Sequence, residues 1–165
     1  MKRKISYSSN TVTVANIALN EMDSHVDTCW LGKNFIPLYY NGEVCNVHAY
    51  SDTIAPIKDV QIGAGATVWT DQLDGAEYIL EIHQAIMYIE TLKHPLLNPN
   101  QIIYEDHSLC NEPWYPYLSL GIYYRDISIF IPFSSQGTVI CFESRKPTED
   151  ELYSLHHLTL TTDSV

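Results

Sequence analysis

Basic residues are scarce in this chain. It carries 9 Lys and Arg against 20 Asp and Glu, a formal net charge of -11 over 165 residues. Such a surface has no general excess of positive charge to hold nucleic acid, which argues against an integrase, a polymerase or a nucleocapsid-like module. Long apolar runs are missing too. No stretch approaches the length that spans a bilayer, and Lys2-Arg3-Lys4 leads into Ser8, Ser9, Asn10 and alternating Thr and Val, not into the unbroken apolar segment of a signal peptide. The expected partners therefore include no nucleic acid and no membrane. Cys29, Cys45, Cys110 and Cys141 are too sparse for a disulfide-stapled scaffold of this length, so reduced thiols and an intracellular setting are expected. Repeats, low-complexity tracts and a clear linker are also lacking. An apolar fraction of 45% then points to one globular domain with a sizeable core.

What the chain has in quantity is strand signal. Residues 11–19 alternate polar and apolar in the period of a half-buried strand. Residues 35–40 and 43–50 read as a hairpin around Asn41-Gly42. Residues 59–62 lead into Gly63-Ala64-Gly65-Ala66, and strand character resumes at 67–70. After a turn at Asp74-Gly75, residues 77–87 read as strand, although their apolar positions partly suit a helix. Asn98, Pro99 and Gln101 stand in the register of a helix cap, first turn and capping box, which predicts a short helix from about Pro99. Pro113 and Pro116 punctuate an aromatic loop around Trp114 and Tyr115. Residues 118–124, 128–133 and 138–143 follow as strands, 147–151 as a capped helix start, and 158–161 as a last strand. The prediction is a single, mainly β domain with one or two short helices.

The first predicted strand feeds Glu21-Met22-Asp23-Ser24-His25-Val26-Asp27-Thr28-Cys29-Trp30-Leu31-Gly32. An acidic residue followed by a small hydroxyl residue, where a strand ends in a sharp loop, is half of an aspartic protease site. Asp23 can share a proton with a second carboxylate and activate water, while the Ser24 hydroxyl braces the loop. The chain has one good copy of this pair, so the arrangement predicts a homodimer.

Three segments, in order, resemble the protease region of copia-like LTR retrotransposon polyproteins, within the retropepsin group. Met22-Asp23-Ser24-His25-Val26-Asp27-Thr28-Cys29-Trp30-Leu31 is similar to the active-site loop. Val60-Gln61-Ile62-Gly63-Ala64-Gly65-Ala66-Thr67-Val68 is similar to the glycine-containing flap region. Gln84-Ala85-Ile86-Met87-Tyr88 with His94-Pro95-Leu96-Leu97-Asn98-Pro99-Asn100-Gln101-Ile102 is similar to a strand, connector and paired-aliphatic motif leading into a helix. The likeness covers residues 12–105. It implies a retropepsin-like closed β-barrel over residues 1–106, with residues 107–165 as a β-rich extension packed on the same domain. It also implies a homodimeric aspartic endopeptidase that processes a Gag-Pol-type polyprotein in a cytoplasmic retrotransposon particle, without a cofactor. Its partners would be a second copy of itself and a polyprotein peptide. By the same resemblance Asp23 is catalytic, Ser24 braces the paired loops, and Asp27 contacts substrate backbone. Trp30 and Leu31 line apolar pockets, Gly63, Ala64 and Gly65 belong to a mobile flap over the peptide, and Leu96 lies under the loop. Two positions depart from the family pattern: His25 and Asn98 stand where glycine is usual. The closing residues 161–165 read as a cut within a longer chain.

Other readings compete. Asp23-Ser24 is also an ordinary turn after a strand, and Asp27-Thr28 is a rival acidic-hydroxyl pair. An inactive protease-fold domain serving dimerisation or interaction would fit His25. The set His25, Cys29, Cys45 and His48 has the ligand chemistry of a structural zinc site, and Cys29 with His25 that of a thiol protease. Tyr115, Tyr117, Tyr123 and Tyr124 with Trp114 read as a peptide-binding or dimer surface.

Overall fold

The structure, a computed structural model, describes residues 17–48, 53, 55–126 and 128–163. Part of the predicted first strand (11–16), the Lys2-Arg3-Lys4 stretch and residues 49–50 of the second hairpin arm lie outside the described residues. In chain order the first strands are β1 (Ile17–Met22), β2 (Trp30–Leu31), β3 (Ile36–Val47), β4 (Ile57–Thr70), β5 (Glu77–Met87) and β6 (Leu96–Leu97). β1 buries alternate residues, Ala18 and Asn20, whereas β4 is buried on both faces from Gly63 to Trp69. Helix α1 (Pro99–Tyr104) is followed by β7 (Ser108–Cys110), β8 (Gly121–Tyr123), β9 (Phe130–Pro132), β10 (Ser134–Gln136) and β11 (Val139–Arg145). Helix α2 (Glu149–Ser154) and β12 (His156–Thr161) complete the order. The domain is mainly β with two short helices, as expected. No described helix is long and apolar enough to cross a membrane.

The large sheet runs β10-β11-β1-β6-β2-β5-β4-β3. One further bridge, Arg145 to Val68, joins β11 to β4 and makes an uneven ring of the strands between them. β5 is the hub. One edge pairs antiparallel with β4; the other carries β12 at Tyr78–Ile82 and then β2 at Ile86 and Met87, both parallel. Leu31, Phe35, Leu80, Leu97, Ile102 and Leu160 fill one core between these strands. Residues 107–165 are woven into this arrangement: β11 pairs along β1, β12 along β5, and the separate β7-β8-β9 sheet sends Ile122 and Ile131 into the same core.

Asn41-Gly42 does not make the predicted hairpin turn. β3 runs straight through it, and the register with β4 slips between Tyr40 (opposite Gly63) and Val44 (opposite Gln61). Gly42 takes φ 85°, so its left-handed backbone absorbs a bulge inside a long strand. The Gly63–Ala66 stretch is likewise no interruption, since β4 is continuous from Ile57 to Thr70.

Candidate active-site loop

β6 lies between β1 and β2, parallel to β1 and antiparallel to β2. The chain from 23 to 29 must therefore bridge two strands that do not touch, and it hangs over the inserted one. Its near end is pinned by the Asp23 N–H to the Leu97 carbonyl at 2.9 Å. Its far end is pinned by the Ile86 N–H to the Cys29 carbonyl at 2.8 Å.

Between these points three side chains tie the loop from below. Asn98 caps α1 through its oxygen, which accepts from the Asn100 N–H at 2.9 Å, and its amide donates to the carbonyls of Val26 (2.9 Å) and Asp27 (3.2 Å). Gln101 does not close the predicted capping box. Its side-chain oxygen accepts from the Cys29 N–H at 2.6 Å and its amide donates to the Gln84 carbonyl at 3.2 Å. Thr28 donates to that same carbonyl at 2.8 Å. Gln84 is available because β5 bulges there: His83 and Gln84 stand opposite the single residue Ala64, and Gln84 takes φ 52°. Composition and alternation carry no sign of this bulge. Gln101 was visible in sequence, but in the wrong role.

Asp23 is half-buried and Ser24 exposed at the rim. The Asp23 Oδ1 accepts from the His25 N–H at 2.9 Å, an Asx turn, and the exposed His25 ring brings Nδ1 to 3.4 Å from the same oxygen. His25 is not among the described residues with positive φ, so this backbone does not require a glycine there. Trp30 is half-buried and meets Tyr88 edge-on at 5.7 Å. Leu96 pairs with Glu21 on one side and Trp30 on the other.

Gly63, Ala64 and Gly65 are buried in mid-β4, two strands from β2, and not at the end of the β3–β4 hairpin. A Cβ on Gly63 would stand 2.2 Å from the Tyr39 carbonyl oxygen, and one on Gly65 2.6 Å from Leu31 Cδ1. Close packing of these positions accounts for their small side chains.

Asp27 faces a cleft of about 480 Å³ that opens where the edge of β5 passes from β12 to β2. Thr28, Gln84, Gln101, Glu105 and the Thr161–Thr162 end of β12 line it. Cys29 is fully buried, its sulfur accepts from the Asn98 N–H at 3.3 Å, and burial pushes the thiol up to about 12. That removes Cys29 as a nucleophile and separates it from the exposed His25. Among the described residues no three His, Cys, Asp or Glu side chains are placed to hold a metal ion, so His25, Cys29, Cys45 and His48 do not assemble a zinc site. No protein-family model matches the chain, and no curated protein or solved structure matches it.

Proposed function

We propose that this chain is one half of a homodimeric aspartic endopeptidase that cuts an extended polyprotein peptide. The observation that carries the reading is the suspended loop: the carbonyls of Val26 and Asp27, the Thr28 hydroxyl and the Cys29 backbone are tied from below, while Asp23 and Ser24 are left at the rim. Neither the Ser24 hydroxyl nor the Asp27 carboxylate has a hydrogen-bond partner among the described residues, which leaves both free for a second chain or a substrate. The uneven ring of strands suits a retropepsin-like closed barrel beneath such a loop.

Two Asp23 carboxylates meeting at a two-fold axis resist double ionisation, so one keeps a proton. The charged member takes a proton from a bridging water as the water attacks the scissile carbonyl; the protonated member polarises that carbonyl, and the pair returns a proton to the leaving amine. Ser24 braces the two loops, Asp27 holds substrate backbone, and Trp30 and Leu96 border apolar subsites. The interface is isologous, each loop meeting its own copy. Acidic pH favours turnover because the pair must hold one proton.

Purified chain incubated with polyprotein-junction peptides tests this. Cleavage by wild type with loss of at least about a hundredfold in Asp23→Asn, the scale on which acid–base groups act, is the expected result. A dimer confirmed by sedimentation that cuts no peptide between about pH 4 and pH 8 would overturn it and leave a pairing domain without turnover. In that outcome the His25 ring beside Asp23 is the residue to examine first.

A further inference from the structure

Away from the loop, side chains from three strands meet on one face of β5. Tyr39 comes from β3, Glu81 and His83 from β5, His157 from β12, and Asp163 lies just beyond β12. The Tyr39 hydroxyl donates to the Asp163 carboxylate, and its oxygen stands 2.7 Å from His83 Nδ1. With the Tyr39 proton already committed, that ring nitrogen must donate. His83 Nε2 is 3.1 Å from Glu81 Oε1 and must donate as well. His157 repeats the pattern: Nε2 is 2.7 Å from the Leu152 carbonyl oxygen of α2, and Nδ1 is 3.0 Å from Glu81 Oε2. Four ring nitrogens thus face acceptors, whereas two neutral imidazoles bring only two N–H groups. If His83 is neutral, either Nε2 faces Glu81 lone pair to lone pair, or the Tyr39 proton turns to Nδ1 and the Tyr39 oxygen opposes Asp163.

We infer that the His83 ring is a proton-operated clasp, which fastens Asp163, just beyond β12, to β5 and β3 while both its nitrogens carry protons and loosens when one of them passes to solvent. The clasp is wired to the cleft. His83 N–H donates to Thr161 Oγ1 at 2.9 Å, and that hydroxyl donates to the His83 carbonyl at 2.7 Å. The next residue, Gln84, holds Thr28 of the candidate active-site loop. Loosening β12 therefore moves the Thr161–Thr162 wall of the cleft.

The electrostatics run the same way. The hydrogen bond that His83 donates to the Glu81 carboxylate raises its pKa above the ordinary histidine value against the pull of burial, and the charge of Asp163 adds to it. Glu81 is held below the usual carboxylate range, first by its bond to His83. Partial burial, then Asp163, push the Tyr39 hydroxyl up to about 12, so it stays a donor throughout. A raised histidine contributes fully below its unfolded value of about 6.5 and is lost as pH climbs through the folded one. The clasp is shut in acid and opens as pH climbs through the raised value.

Ring-nitrogen NMR and amide exchange on the full chain test the clasp. At about pH 5.5 the His83 ring is expected as imidazolium with both of its N–H groups bonded. Exchange of the β12 amides, corrected for its intrinsic pH dependence, is expected to rise about tenfold by about pH 8. Glu81→Gln is expected to exchange fast at both values. A neutral ring at the acidic pH, wild-type exchange that ignores pH, or a Glu81→Gln chain keeping the wild-type profile each overturns the inference. The wild-type spectra alone decide it if Glu81→Gln fails to fold.

Discussion

A single side chain, Asn98, does two jobs that a glycine cannot. Its oxygen caps α1 and its amide holds the carbonyls of Val26 and Asp27. Replacing an Asn cap by Gly costs only a few tenths of a kcal/mol, so the cap alone predicts a near-silent substitution. Two carbonyls left without their donor cost more, about 1–3 kcal/mol together where they are shielded from water. Asn98→Gly is therefore expected to lower stability in urea by about 1–2 kcal/mol. Asn98→Asp, which keeps the cap oxygen and loses the donor, should cost at least as much. A loss below about 0.5 kcal/mol in both variants would mean that the tie to the loop carries nothing.

At the scale of elements, most of the strands are legible in the sequence: β5, β8, β9, β11 and β12 fall where the pattern puts them, α1 starts at its predicted cap Asn98, and α2 starts within the predicted 147–151 stretch, capped by Thr148. Two kinds of feature are not. Irregularities escape a period-2 reading: nothing in the sequence marks the Gln84 bulge, and the Asn41-Gly42 bulge carries the residues of a turn. Partner choice escapes it as well. Nothing local in Leu96-Leu97 says that β6 inserts between β1 and β2, yet that insertion is what suspends the loop. The loop itself was legible from Asp23-Ser24; the residues fastening it, Gln84 and Gln101, needed the fold. The two glycines beside the β3 bulge separate local from packing causes. Gly42 has open space around it and only its φ of 85° to protect, so Gly42→Ala should cost about 1 kcal/mol, the price of a left-handed alanine. Gly63 faces backbone, the Tyr39 carbonyl oxygen at 2.2 Å, so Gly63→Ala must push β3 from β4 and should cost about 3 kcal/mol. Chemical denaturation of the two variants checks the order; equal losses would remove the packing explanation for the buried glycine.

For the molecule as a whole, closure of the strand ring comes down to one residue. Arg145 makes the bridge to Val68 with its backbone, while its guanidinium binds Glu77 on β5 and Glu151 on α2, the latter through Nη1 at 2.9 Å. Glu151 also closes the Thr148 capping box, so the ion pair, the helix start and the ring seam share one carboxylate. Bonding to Arg145 first, and to Thr148 after it, holds Glu151 down at about 2. A depressed carboxylate contributes stability above its unfolded value of about 4.5 and loses it as pH falls through the folded one. This is opposite in sign to His83, whose contribution fades as pH rises. The fold therefore has two guarded flanks, and an acid-active enzyme would need the lower one. Glu151→Gln isolates it, because Gln still completes a capping box and only the charge is lost. Glu151 is mostly shielded, its side chain about 20% exposed, so little of the effect is screened by solvent. The variant should be about 2–3 kcal/mol less stable than wild type near neutrality, and the difference should shrink towards zero between about pH 4.5 and pH 2 as wild type takes up the proton. Urea titrations across that range measure it. A gap that stays constant as pH falls would show that the ring seam depends on the shape of residue 151 and not on its charge.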